Sequence, residues 1–298
     1  MLLSAALAVL LGAPPDLKPF EFKDGDRVVW LGNTLVEREQ RYGYWEAALL
    51  AANADKNITV RNLGWSGDTV FGDARAGFDN AAKGFERMVS LSLELKPTVI
   101  FVSFGTNESF EGKDGLPKFE KGLEKLLDAL KPANARVVLF SPLPFRESAA
   151  AGERNVVLAL YADVVRAVAK RRSFPVADIG PQIAQRSGGT AGFPPLTDNG
   201  MHLTELGYQA TAESFLASLG TGTDALLQLR PLDTAKLRKA VVEKNELFFH
   251  RWRPQNETYL FGFRKHEQGK NGKEIAEFDP LVAKAEEEIA KLRKELKK

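Results

Sequence analysis

Residues 27–35 read Arg27-Val28-Val29-Trp30-Leu31-Gly32-Asn33-Thr34-Leu35. Four consecutive apolar side chains stop at a glycine and two small polar residues. A run without alternation is what a strand buried on both faces requires, because a strand with one wet face alternates apolar and polar residues. The Gly-Asn-Thr break then opens a loop. The same pattern recurs at Ile58–Asn62, Thr98–Ser103, Val137–Phe140 and Phe174–Ile179. Each run is rich in β-branched or aromatic residues and bounded by Gly, Pro, Asn or Asp.

Helical patterns fill the intervals: Tyr44–Ala54, Ala81–Leu95, Phe119–Leu130, Asn155–Arg171 and Glu205–Leu219. In Asn155–Arg171 the residues Val157, Leu160, Tyr161, Val164, Val165 and Val168 recur at three- and four-residue steps, which places them on one face. Strand and helix therefore alternate from Arg27 to Leu219. This predicts an α/β fold of three layers, with a parallel sheet and right-handed crossovers. Such sheets bind their ligands past the carboxyl ends of the strands. The informative loops are those after Leu31, Asn62, Ser103 and Ile179.

Composition limits the chemistry. The chain has 298 residues, 44% hydrophobic and 27% charged, values that suit a protein with a real core. It has no cysteine, which excludes disulfides, thiol nucleophiles, Cys-ligated zinc, iron–sulfur clusters and CxxCH haem attachment. Three histidines, His202, His250 and His266, are the only ones available for proton transfer. The net charge of +2 argues against nucleic-acid binding. That small value is uneven: residues 221–298 hold 17 basic and 13 acidic side chains, so a slightly acidic body precedes a basic tail. Neither a Gly-x-Gly-x-x-Gly after the first strand nor a phosphate loop is present, so no cofactor is expected. His250 and His266 lack ligand spacing, so no metal site is expected.

Met1–Ala13 is almost wholly apolar but too short to span a bilayer, which takes roughly 20 residues. It fits the apolar region of a secretory signal, although no Lys or Arg precedes it and Pro14-Pro15 follows. Export to a periplasmic or extracellular setting is the expectation, with no integral membrane segment. A buried N-terminal element is the other reading.

Four loop blocks carry the candidate chemistry: Gly32-Asn33-Thr34-Leu35, Asn62-Leu63-Gly64-Trp65-Ser66-Gly67-Asp68-Thr69, Phe104-Gly105-Thr106-Asn107-Glu108, and Thr197-Asp198-Asn199-Gly200-Met201-His202. In order and spacing they resemble the blocks of the SGNH/GDSL hydrolases, a family of flavodoxin-like esterases and lipases. The similarity runs over roughly residues 27–219 and implies a five-stranded parallel sheet acting on ester bonds. Carried over by position, the resemblance implies an oxyanion hole from the Gly64 N–H, the Asn107 side chain and the Thr34 N–H. It also implies that His202 is the general base. Such donors stabilise the tetrahedral intermediate of acyl transfer.

Two positions depart from the family pattern. Thr34 stands where the family has its nucleophilic serine, and Asn199 stands three residues before the histidine in place of aspartate. Asn33 also replaces the aspartate of the first block. Thr34 keeps a hydroxyl, but its methyl restricts χ1 and crowds attack. Threonine nucleophiles as a class use a free N-terminal amine as base, which an internal residue lacks. Asn199 can hold a histidine tautomer without stabilising the imidazolium by charge, whereas Asp198 is a substitute orienter if the loop turns differently. Three readings follow: an esterase using Thr34 and His202, acting on a small-molecule or carbohydrate ester and foremost on acetyl groups; a pocket that binds a saccharide or ester without turnover; or an esterase using a neighbouring hydroxyl, Ser66 or Ser109.

The tail from 221 to 298 is expected to be a mainly helical extension packed on residues 14–220, with helices at Thr234–Leu247 and Pro280–Lys298. In the last helix Leu281, Ala285, Ile289, Leu292 and Leu296 form one stripe. Between them, Asn245–Glu267 mixes six aromatic residues with Arg251, Arg253, Arg264, Lys265, His250 and His266. This stretch resembles the C-terminal part of a bacterial subgroup of GDSL-like proteins that shares the Gly-Asn-Thr block. It reads either as an aromatic plug that docks the tail or as a surface that stacks on sugars and holds anions.

Overall fold

The computed structural model of the protein describes residues 19–146, 151–180, 194–221 and 231–296. The apolar run Met1–Ala13 lies outside these residues. Strand β1 (Arg27–Gly32) has Val28, Val29, Trp30 and Leu31 all buried, as a strand covered on both faces must. Around it lie β2 (Thr59–Asn62), β3 (Val99–Ser103), β4 (Arg136–Phe140) and β5 (Val176–Ala177), in the order β2-β1-β3-β4-β5. All pairings are parallel, with Val28 opposite both Val60 and Val99. This is a flavodoxin-like order, whose strand sequence reverses between β1 and β3.

Strand β5 is shorter than Phe174–Ile179 because its neighbours have other duties. Pro175 has no N–H to give the ladder and contributes only its carbonyl, to Leu139 N. Asp178 leaves the edge to accept hydrogen bonds from Ser141 and Arg166.

Helix α1 (Thr34–Tyr42) directly follows β1, where no helix was expected. Its sequence, Thr34-Leu35-Val36-Glu37-Arg38-Glu39-Gln40-Arg41-Tyr42, lacks an apolar period because its inward residues are polar. Glu37, Glu39 and Gln40 are buried. Asn33 caps its start by accepting from Leu35 N, and Gly43, at φ 66°, turns the chain into α2 (Tyr44–Ala52). The later helices are α3 (Ala81–Glu94), α4 (Leu116–Leu130), α5 (Ala151–Arg172) and α6 (Glu205–Ser218).

Apolar clusters fill both faces of the sheet. One joins Trp30, Phe101 and Phe140 to Trp45, Tyr208 and Phe215 from α2 and α6. The other joins Val29, Leu31, Ile100 and Val102 to Met88, Phe119, Leu123, Tyr161 and Val165 from α3, α4 and α5. The result is three layers, helices over sheet over helices.

The tail contributes α7 (Pro231–Trp252), two short turns α8 (Glu257–Leu260) and α9 (Lys265–Gln268), and α10 (Phe278–Glu295). It enters both cores, with Leu237, Val241 and Ile289 in the first and Phe248 and Val282 in the second. In α10 the stripe is shifted from the expected one: Val282 is buried, and Leu281 is 48% exposed. On α7, Lys244 is completely buried. Its Nζ lies 2.7 Å from Glu46 Oε1, 2.9 Å from the Val60 carbonyl and 2.8 Å from Asn245 Oδ1. Asn245 Nδ2 donates to the second Glu46 oxygen at 2.9 Å, so each carboxylate oxygen and each ammonium N–H of this buried pair has a partner. Among the described residues no helix is long and apolar enough to cross a membrane.

Candidate active site

The carboxyl ends of β1 and β3 bring three of the loop blocks together. Thr34 is the first residue of α1, and no acceptor among the described residues takes its backbone N–H. That N–H therefore points out of the positive end of a nine-residue helix, where an anion is favoured. The Thr34 Oγ1 accepts a hydrogen bond from Gly67 N at 3.2 Å.

The second loop reassigns a donor. Gly64 N donates to Asn62 Oδ1 at 2.9 Å, an Asx turn that takes the N–H implied for the oxyanion hole. Gly64 is a glycine for packing: a Cβ there would lie 2.2 Å from Glu37 N, against the backbone of α1. Gly67, with φ +78° and open space around it, is the residue of this loop whose N–H reaches Thr34. Asn107 spends one amide hydrogen on the Asp68 carbonyl at 2.7 Å and keeps the other for the pocket it lines.

His202 belongs to the fourth block, held by a small antiparallel bridge between Thr197 and Leu203. Asn199 Oδ1 accepts from Met201 N at 3.1 Å and from His202 N at 2.8 Å. Those two donors fix the amide, so its Nδ2 faces His202 Nδ1 at 3.0 Å. The imidazole must then accept at Nδ1 and carry its proton on Nε2. Burial, and next the Arg38 charge, lower the His202 pKa, while Asp198 opposes them. The ring is therefore neutral near pH 7. Asp198 does not orient it: its Oδ2 lies 2.6 Å from Arg38 Nη2, and Asn199 occupies Nδ1.

Asn33, Thr34, Asn107, Leu143, Met201, His202 and Tyr208 are among the walls of a narrow cavity of about 20 Å³. It adjoins an open cleft of about 630 Å³, lined by Thr34, Arg38, Arg41, Ser66, Gly67, Asn107, Met201 and His202. Thr34 and His202 share both linings without a direct hydrogen bond. Ser66 lies on the cleft, its N–H bound to Glu37 Oε2 at 2.7 Å. Ser109 is buried, and its hydroxyl donates to the Thr106 carbonyl at 2.6 Å, so it does not serve the pocket.

Beneath the loops, Glu108 accepts from Val70 N and Gly105 N, both at 2.8 Å, and so joins the second block to the third. Burial pushes its pKa up to about 7 against the lowering effect of those bonds. Sequence reasoning missed this brace, although an acidic residue directly after Asn107 was visible. Among the described residues no group of three or more His, Asp and Glu side chains could hold a metal ion.

The GDSL-like lipase/acylhydrolase family model matches residues 25–210. The chain belongs to this family. Membership makes it an ester hydrolase by class. Solved structures agree on the fold. A putative GDSL-like lipase from Parabacteroides merdae is 17% identical, with a TM-score of 0.55, covering 69% of this chain and all of that one. A catalytic mutant of an acetylxylan esterase from Geobacillus stearothermophilus is 18% identical, with a TM-score of 0.54, covering 67% and 97%. An α/β hydrolase from the metagenome of Lake Arreo, Spain, is 23% identical, with a TM-score of 0.51 and the same coverage. Among curated proteins no sequence matches. The tail from α7 onward lies beyond the span of the family model.

Proposed function

We propose that this GDSL-like hydrolase cleaves short acyl esters, foremost acetyl groups on carbohydrate, with the Thr34 hydroxyl as nucleophile and His202 as base. The observation that carries the reading is that Thr34, Asn107 and His202 line one narrow cavity, and Gly67 joins them on the open cleft beside it. The cavity suits a two-carbon acyl group, and the cleft suits a bulky alcohol. Thr34 Oγ1 attacks the ester carbon while its proton passes to the imidazole. The oxyanion that forms meets the Thr34 N–H and the free Asn107 amide hydrogen, joined by the Gly67 N–H as its bond to Thr34 Oγ1 gives way. Collapse expels the alcohol, which takes the proton back, and water releases the acyl group by the same route.

The base step requires His202 to move its proton from Nε2 to Nδ1, against the Asn199 amide. In a serine-type triad the corresponding aspartate-to-asparagine change lowers kcat about 10⁴-fold. The proposed enzyme is accordingly a slow one. The acetylxylan esterase neighbour and the apolar Met1–Ala13 run support an exported carbohydrate setting.

The same Asn199 contact favours a second reading, a pocket that binds an acylated saccharide without turnover. One assay separates the two. The wild type, Thr34→Ala and His202→Ala are tested on 4-nitrophenyl acetate and acetylated xylo-oligosaccharides, with calorimetry on the same oligosaccharides. Turnover lost in both variants supports the hydrolase. Saturable binding with no turnover by the wild type supports the second reading.

A further inference from the structure

Arg253 lies just past α7, more than forty residues beyond the span of the family model, yet it reaches the loop that carries Gly67. Its guanidinium carbon sits 3.6 Å from the centre of the Trp65 ring, within stacking distance. Its Nη1 lies 2.8 Å from Glu37 Oε2, in a pair that is 25% and 9% exposed. That carboxylate oxygen also receives the Ser66 N–H at 2.7 Å. The next amide along, Gly67 N–H, is the one on Thr34 Oγ1.

A second branch leaves the same tryptophan. Arg75 lies 5.4 Å from the Trp65 ring and forms a completely buried pair with Asp68 at 2.6 Å. The Asp68 carbonyl holds the Asn107 amide at 2.7 Å. Trp252 packs edge-to-face on Trp65 at 5.8 Å. The tail therefore braces the loop between the two donors, Gly67 and Asn107.

We propose that Arg253 is a positioning residue for the oxyanion hole: through Trp65 and Glu37 it holds the Ser66-Gly67 backbone in place, which makes the C-terminal extension part of the catalytic machinery. The proposal rests on the reading of Thr34 as the reacting centre. It differs from simple docking of the tail, because the tail is anchored elsewhere by Lys244, Leu237, Val241 and Ile289.

The test compares the full-length wild type with Arg253→Gln, Arg253→Lys and Arg251→Gln, the last removing an exposed pair with Asp279. A misplaced donor costs up to about 100-fold in rate. The expected result for Arg253→Gln is a kcat on 4-nitrophenyl acetate lower by about 10- to 100-fold with KM nearly unchanged, partial rescue in Arg253→Lys, and no change in Arg251→Gln. Amide hydrogen exchange should quicken across residues 62–69 and stay unchanged across α7. Unchanged kcat with unchanged exchange in residues 62–69 overturns the proposal, as does a uniform loss of protection throughout α7, which is the mark of docking alone. If the wild type turns over no ester, the hydrolase reading fails by itself, and the exchange pattern still decides the role of Arg253.

Discussion

Asn199 binds His202 through its amide nitrogen, 3.0 Å from Nδ1, while its amide oxygen is held by two backbone N–H groups. One asparagine thus fixes the loop and the imidazole tautomer together. Aspartate would keep the loop bonds and accept a hydrogen bond from the Nδ1–H, freeing Nε2 to act as base. Asn199→Asp is expected to raise kcat by about 10³- to 10⁴-fold, the reverse of the loss known for serine triads. Nitrogen-15 NMR of the wild type should find the proton on Nε2, and of the variant on Nδ1.

Gly64 and Gly67 should respond to substitution in different ways. Gly64→Ala puts a methyl 2.2 Å from the Glu37 nitrogen, and overpacking of this kind costs about 1–3 kcal/mol or more. The expected outcome is a lowered denaturation midpoint. Gly67 has open space but a φ of +78°, so Gly67→Ala strains the donor itself and should lower kcat more than stability.

Lys244 and Glu46 form a buried pair between tail and body. Lys244→Met leaves the carboxylate uncompensated and is expected to cost about 3–5 kcal/mol in urea unfolding. Adding Glu46→Gln removes the stranded charge and should recover most of that loss.

Two buried carboxyls set a pH dependence. Burial raises Glu39 to about 8, helped by the charge of Glu46, and raises Glu108 to about 7. Both bind their protons more tightly folded than unfolded. Their contribution to stability is complete below the unfolded value of about 4.5 and is lost as pH climbs through 7 and 8. Each group can contribute a slope of up to about 1.4 kcal/mol per pH unit within its window. Glu39→Gln imitates the protonated form, accepting from Trp45 N and Glu46 N as Glu39 Oε1 does. Denaturation midpoints between pH 5 and 8.5 should fall less steeply in this variant than in the wild type.

The sheet was legible because each strand is buried on both faces and so spells an apolar run, from Val28–Leu31 to Val137–Phe140. That Thr34, Asn107 and His202 line one cavity was legible because the first two follow strand-like runs and all three blocks keep the family's order and spacing. Helix α1 was hidden, since its buried side chains Glu37, Glu39 and Gln40 are polar and carry no apolar period; Glu37 is held by the Ser66 N–H and Arg253, and one Glu39 oxygen by the Trp45 N–H. The Gly64 donor was misread although its signal was present: an asparagine two residues before a glycine is an Asx-turn pattern that occupies the glycine N–H. Arg253 stood among other cations of the tail, and only the folded chain distinguishes it, by its position on Trp65.

We propose Thr34 Oγ1 as the attacking atom of an ester-cleaving site. The most direct measurement is the intact mass of the wild-type protein, taken over time after mixing with 4-nitrophenyl acetate, with the adduct located by peptide mapping. A reluctant base slows deacylation, so one acetyl group should accumulate on Thr34 and be absent from Thr34→Ala. An adduct on Ser66, or ester turnover that persists in Thr34→Ala, would contradict it.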